Sequence, residues 1–506
     1  MGYLTELEPA EGRRRLRVEN PVDGTEVLTY PVANAEDVHA MVERARTAQQ
    51  AWAQTPVKER AKRMQAALAI LVEEHETFID RLTAETGRAR LDTLMIEIYA
   101  ACDSMNYYSG RAPKVLRDRT VGLHLMRHKR AKLVTRPIGV VAVISPWNGP
   151  FVLSINPTIQ AVLAGNAVVI KPSEVTPTAG ILVEELFQRA GFPEHLVQVA
   201  LGDGETGAAL LESGVQKVSF TGSVRTGRKV GEVCGRNLTP FTLELGGKDA
   251  MIVCGDADLD RAAAGALFGG MMNAGQFCSA IERVYVEQSV AAPFIERLVA
   301  KAGELELGRD LGPFIFEPQA DTVRRHVEDA VAAGARVLIG GEVVEDRGRG
   351  RYMGATVVTD IPDEADLMRE ETFGPVLALR VVEDVREAIA CANDNQYGLG
   401  ASVWSRDNKK AEAIARELEA GAVTINETAL TYGALELPFG GVKASGIGRV
   451  NGADGLLNFS QQLPIISDRF GNKEEPVWHP YTPEKFENLQ KGLRYMFGTP
   501  LRYVLR

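Results

Sequence analysis

Two residues of this chain have the chemistry for covalent work on a carbonyl group. Cys278 follows a small, turn-prone lead-in, Gly275-Gln276-Phe277, and Glu244 opens the run Glu244-Leu245-Gly246-Gly247-Lys248. A thiolate attacks a carbonyl carbon and keeps the acyl group covalently; a carboxylate activates the water that releases it. A fold that brings Glu244 and Cys278 together would hold both groups an acyl-enzyme cycle needs.

Further segments carry side chains suited to a ligand, each with a plainer reading beside it. In Pro146-Trp147-Asn148, Asn148 is an oxyanion donor or a helix cap, and Trp147 reads as a core aromatic. The tripeptide ends an apolar run, where α/β proteins place ligands. Lys171 and Glu174 end a second run and either bind two ribose hydroxyls or pair with each other on the surface. Two glycine turns compete for a pyrophosphate. Gly202-Asp203-Gly204-Glu205-Thr206-Gly207 fits GxGxxG, yet Asp203 and Glu205 put negative charge where phosphates would lie. Phe220-Thr221-Gly222-Ser223 leads into a helix whose first N–H groups, with the Ser223 hydroxyl, suit phosphate better. Glu371 and Phe373 stand together before a strand, in a segment that otherwise reads as an exposed acidic turn. Residues 438–446 form a glycine-rich loop or a flexible connector.

The elements that must position these residues alternate. Apolar runs at 138–145, 167–170, 196–200, 217–220 and 251–254 read as buried strands, mostly separated by helical stretches such as 178–190. This predicts an α/β fold with a doubly wound, Rossmann-like sheet. A second alternation follows Cys278, with strands near 283–286, 335–339, 373–382, 401–404 and 422–425, so a second α/β domain is expected. Upstream, Asn34 and Asp37 pair as a helix cap before Val38, Met41, Val42 and Ala45 on one face. Helices are expected over 57–81 and 91–108, and alternating residues over 120–136 suggest a β-ribbon.

Composition excludes several classes. The 506 residues are 45% apolar and 25% charged with net charge −10, which fits a soluble globular protein with a large core and argues against a nucleic-acid partner. Arg347-Gly348-Arg349-Gly350-Arg351 therefore reads as an exposed loop. Five scattered cysteines without a CxxC pair fit a reducing compartment. No metal site is expected. Residues 1–17 show no secretory pattern and no apolar run reaches membrane-spanning length, so a cytoplasmic location is expected.

The joint order of these motifs, together with Gly165-Asn166, resembles the aldehyde dehydrogenase superfamily over residues 20–459. The resemblance implies that Cys278 is the nucleophile, that the Asn148 side chain and the Cys278 N–H hold the oxyanion, and that Glu244 activates the deacylating water. It implies that Glu371 holds the nicotinamide ribose with Phe373 packed nearby, that Lys171 and Glu174 hold the adenosine ribose, and that Ser223, in the Thr221-Gly222-Ser223 turn, and Trp147 lie along the pyrophosphate. A carboxylate at Glu174 favours NAD over NADP, although relatives with this motif accept both. Retention of Glu244 favours hydrolysis to a free acid over transfer to coenzyme A; the alternatives are a coenzyme A-acylating enzyme and a non-catalytic cofactor-binding structural protein. Pro157 stands where many members carry a lysine, a residue that class-3-like and coniferyl-aldehyde-type members also lack.

The same resemblance divides the chain into a cofactor domain (1–118 and 138–247), an oligomerisation ribbon (119–137 and 459–468), a catalytic domain (248–442), a return segment (443–458) and a tail (469–506). It implies a homodimer or homotetramer. In the tail, Thr482 and Pro483 start a helix whose apolar face is Phe486, Leu489, Leu493 and Phe497, with Gly498 able to close it. Lys485, Lys491, Arg494, Arg502 and Arg506 make this end basic. The helix docks on its own protein or a partner subunit, or touches a membrane surface. Leu153, Leu435 and Leu437 are expected to line a site for an apolar aliphatic or aromatic aldehyde, with Glu436 as an exception.

Overall fold

Two largely parallel sheets underlie the motifs expected at the catalytic and cofactor sites. The computed structural model describes residues 13–346, 350–471 and 473–503. The reading of 347–349 as a loop, most of the N-terminal segment and Arg506 lie outside the described residues. The chain divides into two units: residues up to Val115 with Pro137–Phe459, and Leu116–Arg136 with the segment from Ser460 onward.

In the larger unit, a six-stranded sheet runs Gly446–Ile447, Phe241–Glu244, Lys217–Thr221, Val140–Ile144, Ala167–Lys171, Val197–Val199. Its strands pair in parallel, except the short edge strand Gly446–Ile447. From Val140–Ile144 the next two strands are added on one side and the following two on the other. The order therefore reverses between Val140–Ile144 and Lys217–Thr221, the position at which open α/β sheets bind ligands. The strand Phe241–Glu244 was not expected from the sequence, because Thr242 and Glu244 break the apolar run that marks its neighbours.

The second sheet orders its strands Arg336–Ile339, Thr356–Thr359, Val376–Val382, Ile281–Glu287, Asp249–Val253, Gly400–Trp404, Ala422–Ile425. Asp249–Val253 lies inside it, between Ile281–Glu287 and Gly400–Trp404, so the fifth apolar run does not extend the first sheet, as its place in the first alternation suggested. It crosses to the second because the chain turns at Gly246-Gly247. A Cβ on Gly247 would sit 2.3 Å from the Cys278 carbonyl, so the turn needs the missing side chain. Alternation along the strand buries Ile252 on one face with Tyr285 and Ala378, and Met251 and Val253 on the other with Val284 and Leu377.

Asn34 and Asp37 form a capping box at the start of Ala35–Ala53, and Val38, Met41, Val42 and Ala45 are buried. The expected helix over 57–81 is two, Val57–Glu73 and His75–Thr86, and Val72 faces solvent. The next helical stretch continues past its expected end, to Val115, and contains a π-helical turn, Thr93–Tyr99. Such turns often mark functional positions. Here Glu97 is fully buried within it.

In the smaller unit, Arg119–Val121 pairs antiparallel with Lys129–Pro137, and Ser460–Asp468 joins the same three-stranded sheet. The tail helix spans Pro483–Gly498. The Thr482 hydroxyl accepts the Lys485 N–H at 3.2 Å, and Thr499, one residue later than expected, is the C-cap.

Candidate active site

One cavity of about 930 Å³ opens at the carboxyl ends of the first sheet. Its walls include Cys278, Glu244, Asn148, Trp147, Lys171, Glu174, Thr221, Gly222, Ser223, Glu371 and Phe373, so every residue expected in catalysis or cofactor binding reaches it.

The nucleophile candidate is presented by a strained loop. Asn273 and Ala274 have φ of 53° and 52°, and Gly275 has 72°. A Cβ on Gly275 would lie 2.1 Å from the Gly374 carbonyl, so this loop packs directly on the turn that follows Glu371. Cys278 is half-buried. Burial pushes its thiol up to about 12, and the nearby carboxyls of Glu371, Asp249 and Glu244 add to the shift. The thiol therefore rests protonated. Asn148 is buried just before helix Pro150–Ala164 and is one of the residues lining the cavity. It does not cap that helix, whose N-cap is Gly149.

Glu244 ends its strand between two neighbours, in register with Thr221 on one side and Gly446 on the other. The Gly222 N–H donates to the Glu244 carbonyl and the Leu245 N–H to the Ser445 carbonyl, both at 3.0 Å. Residues 438–446 therefore pack around this carboxyl and are no free connector. A Cβ on Gly440 would stand 3.0 Å from Glu244 Oε1. Both carboxyl oxygens are buried and meet no hydrogen-bond donor among the described residues. Burial holds the Glu244 carboxyl well above the usual range, with Arg449 opposing weakly. A raised carboxyl that faces a cavity without a partner is suited to exchange a proton with a bound water.

Glu371 is half-buried in its turn, whereas Glu370 is exposed. Burial raises Glu371 to about 8, with Glu282 adding to the effect. Phe373, at φ 55°, meets the Trp147 ring edge-on at 5.4 Å. Trp147 also meets Phe316 at 5.9 Å, so it lines the cavity within an aromatic group and is not a closed core residue. A buried network fixes this turn: Glu282 accepts the Thr372 N–H at 2.8 Å and the Phe373 N–H at 2.9 Å, and Lys248 donates to Glu282 and to Thr372 Oγ1.

A dinucleotide needs a long cleft at a switch point with a helix start for its phosphates. The cavity meets both requirements. Ser223 caps helix Val224–Asn237, accepting the Thr226 N–H, and its turn lines the cleft. Lys171 and Glu174 pair at 3.1 Å; the lysine is buried, so this is a wall of the cleft and no ordinary surface pair. In the other glycine turn, Asp203 caps its own helix and binds Arg14 at 2.7 Å, while Thr206 donates to the Ala33 carbonyl. That turn is structural, although Gly204 and Gly207 still reach the cavity. The residues present fit a bound NAD or NADP.

Among the three leucines expected at the substrate, Leu153 lines the cavity. Leu435 is core, and Leu437 is exposed beside Glu436, so neither joins the site. Arg225 and Lys229 were not picked out. They lie one helical turn apart and line the cleft, and their basic i, i+4 spacing beside the Ser223 turn was the available signal. No cluster of three or more metal-ligating side chains occurs among the described residues, and no described helix is long and apolar enough to cross a membrane.

A family model described as the aldehyde dehydrogenase family matches residues 8–463. The chain is 41% identical over 485 residues to 4,4'-diapolycopene aldehyde oxidase of Methylomonas sp, covering 95% of this chain and 91% of that protein. It is 42% identical over 482 residues to a provisionally named succinate-semialdehyde dehydrogenase [NADP(+)] of Mycolicibacterium smegmatis, covering 94% and 93%. Among solved structures, a Mycobacterium tuberculosis aldehyde dehydrogenase complexed with NAD+ superposes with a TM-score of 0.87 at 34% identity, covering 92% of this chain and 97% of that one.

Proposed function

The chain belongs to the aldehyde dehydrogenase family, NAD(P)-dependent enzymes that oxidise aldehydes to acids, and on that premise we propose that it converts an apolar aliphatic or aromatic aldehyde to the free acid through a cysteine-bound acyl intermediate. One observation carries the reading. The buried carboxyl of Glu244, without a hydrogen-bond partner among the described residues, shares a cavity with Cys278.

In this reading Cys278 Sγ, once deprotonated, adds to the aldehyde carbon and gives a thiohemiacetal. The Asn148 side-chain amide and the Cys278 main-chain N–H hold the oxyanion, a donor pair of the kind worth a few kcal/mol. Lys171 and Glu174 would hold the adenosine ribose of the cofactor, Trp147 and the Thr221-Gly222-Ser223 turn would lie along its pyrophosphate, and Glu371 and Phe373 would hold its nicotinamide end. When bound, the nicotinamide supplies the hydride acceptor. Departure of the aldehyde hydrogen leaves a thioester on Cys278. Glu244 takes a proton from water attacking that thioester, and acid and thiol are released. Retention of Glu244 supports hydrolysis over coenzyme A acylation, and Glu174 supports a preference for NAD with NADP also used.

The printed substrates of the two relatives differ in polarity. An anionic aldehyde would need an unpaired cation beside Cys278. The cations lining the cavity are Lys171, paired with Glu174, and Arg225 and Lys229 on the helix that follows the Ser223 turn. Leu153, Trp147 and Phe316 support an apolar substrate. The test is a panel of aldehydes varied in length, aromaticity and charge, assayed with NAD and NADP and without coenzyme A. Acid formed fastest from carboxylated aldehydes would overturn the substrate class. A strict need for coenzyme A would overturn hydrolysis, and no aldehyde-dependent NADH formation would leave the structural-protein alternative.

The scattered free cysteines support a cytoplasmic enzyme. The ribbon with strand Ser460–Asp468 supports a homodimer or homotetramer. Phe486, Leu489, Leu493 and Phe497 are exposed beside Lys485, Lys491 and Arg494, which supports weak peripheral membrane contact. Liposome binding unchanged by deleting 469–506 would assign that face to a partner subunit instead.

A further inference from the structure

A buried arginine joins the two loops that carry the reacting groups. Arg88 follows Gly87, the left-handed cap of helix His75–Thr86, and its side chain is 1% exposed. Its three nitrogens reach three separate segments. Nη1 donates to Glu97 Oε1 at 2.7 Å, Nε donates to Asn273 Oδ1 at 2.8 Å, and Nη2 donates to the main-chain carbonyl of Asn148. Asn273 closes the triangle. Its Nδ2 donates to the same Asn148 carbonyl at 3.1 Å and to the Gln276 carbonyl at 2.9 Å, two residues before Cys278. Glu97 Oε2 accepts the N–H groups of Phe151 and Val152, in the first turn of the helix that follows Asn148.

We infer that Arg88 and Asn273 are positioning residues that lock the Asn148 peptide against the Cys278 loop, keeping oxyanion donor and nucleophile at a set separation. The inference rests on the roles given above to Asn148 and Cys278. A carbonyl held by two donors cannot rotate, so the Cα of Asn148 and the Cα–Cβ bond from which its amide extends are fixed. Misplacement of such a group by 1 Å can cost roughly 100-fold in rate. A buried ion pair adds little stability over well-packed apolar residues. The planar fork of arginine is suited to reaching several loops at once, and lysine lacks that geometry.

Two variants test this. Asn273→Gly removes the amide and keeps the left-handed backbone that Asn273 adopts. Arg88→Lys keeps a cation opposite Glu97 and loses the fork. In each, kcat and the single-turnover rate of NADH formation should fall by about 100-fold. The cofactor KM should stay within about twofold, because only a group acting on the chemical step lowers kcat without weakening binding. A folded variant of either kind with wild-type kcat overturns the proposal, as does a kcat loss matched by an equal rise in cofactor KM. Cys278→Ala is assayed in parallel. If it still oxidises aldehyde, the catalytic reading falls as well; if it is inactive while Asn273→Gly is normal, only the positioning role falls.

Discussion

The main-chain N–H of Gly247 donates to Glu371 Oε1 at 2.9 Å. The turn that follows Glu244 in the first sheet is thereby held by the carboxyl at the start of the Glu371–Phe373 turn in the second. The fit is close enough that a Cβ on Gly246 would stand 2.4 Å from Glu371 Oε2. The proposed water-activating carboxyl and the proposed ribose-holding carboxyl thus share one scaffold.

Gly246→Ala should displace Glu371 from the cleft. Losing one hydrogen bond to a largely protonated carboxyl corresponds to roughly a 2-fold to 10-fold rise in cofactor KM. Titration with NAD at saturating aldehyde measures it, and an unchanged KM would remove Glu371 from the cofactor site.

Glu244→Gln keeps the shape of the site and removes the base. A stopped-flow burst of NADH close to one per active site should persist, followed by steady turnover slowed by about 10²–10⁴-fold. Loss of the burst itself would place Glu244 before the acyl intermediate.

The raised thiol of Cys278, about 12, sets the pH dependence of its reactivity. Below that value the thiolate fraction rises about tenfold for each pH unit. Alkylation of the cofactor-free enzyme by iodoacetamide, with Cys278→Ala as reference for the other cysteines, should climb from pH 7 to 10 without a plateau. A plateau near pH 8 would show a primed thiolate.

Glu85 is buried outside the site, and its Oε1 accepts the Thr178 N–H at 3.0 Å. Burial lifts its carboxyl from 4.5 to about 8. The folded protein then keeps a proton that the unfolded chain releases across that window, so stability falls as pH rises through it, by up to about 1.4 kcal/mol per pH unit. Glu85→Gln should flatten the fall in melting temperature between pH 5 and 8. An unaltered pH profile would show that Glu85 is ionised in the fold.

Glu174→Gln removes the charge that opposes a 2′-phosphate while Lys171, Arg225 and Lys229 remain at the cleft. The kcat/KM for NADP should rise by roughly tenfold and that for NAD should fall, at low salt, where screening is weakest. Equal changes for both cofactors would place Glu174 away from the ribose.

The linear chain already contained the chemistry and most of the scaffold. Burial on both faces makes parallel strands continuously apolar, so the runs at 140–144 and 167–171 were legible, as was the Asn34 cap, whose partner is three residues away. Motif order was legible for the same reason, because each motif is short and local. Folding decided what local pattern cannot encode. Phe241–Glu244 is a strand through its neighbours on both sides, although its own composition does not mark it. Asp249–Val253 went to the second sheet because a side-chain-free turn at Gly247 allowed it. Leu435 and Leu437 left the expected site because neighbours distant in sequence determine which face of a loop is covered. The lack of a hydrogen-bond partner for Glu244 among the described residues, and the junction of Arg88 with Asn148 and Asn273, depend on residues far apart in the chain and exist only once the two sheets have packed.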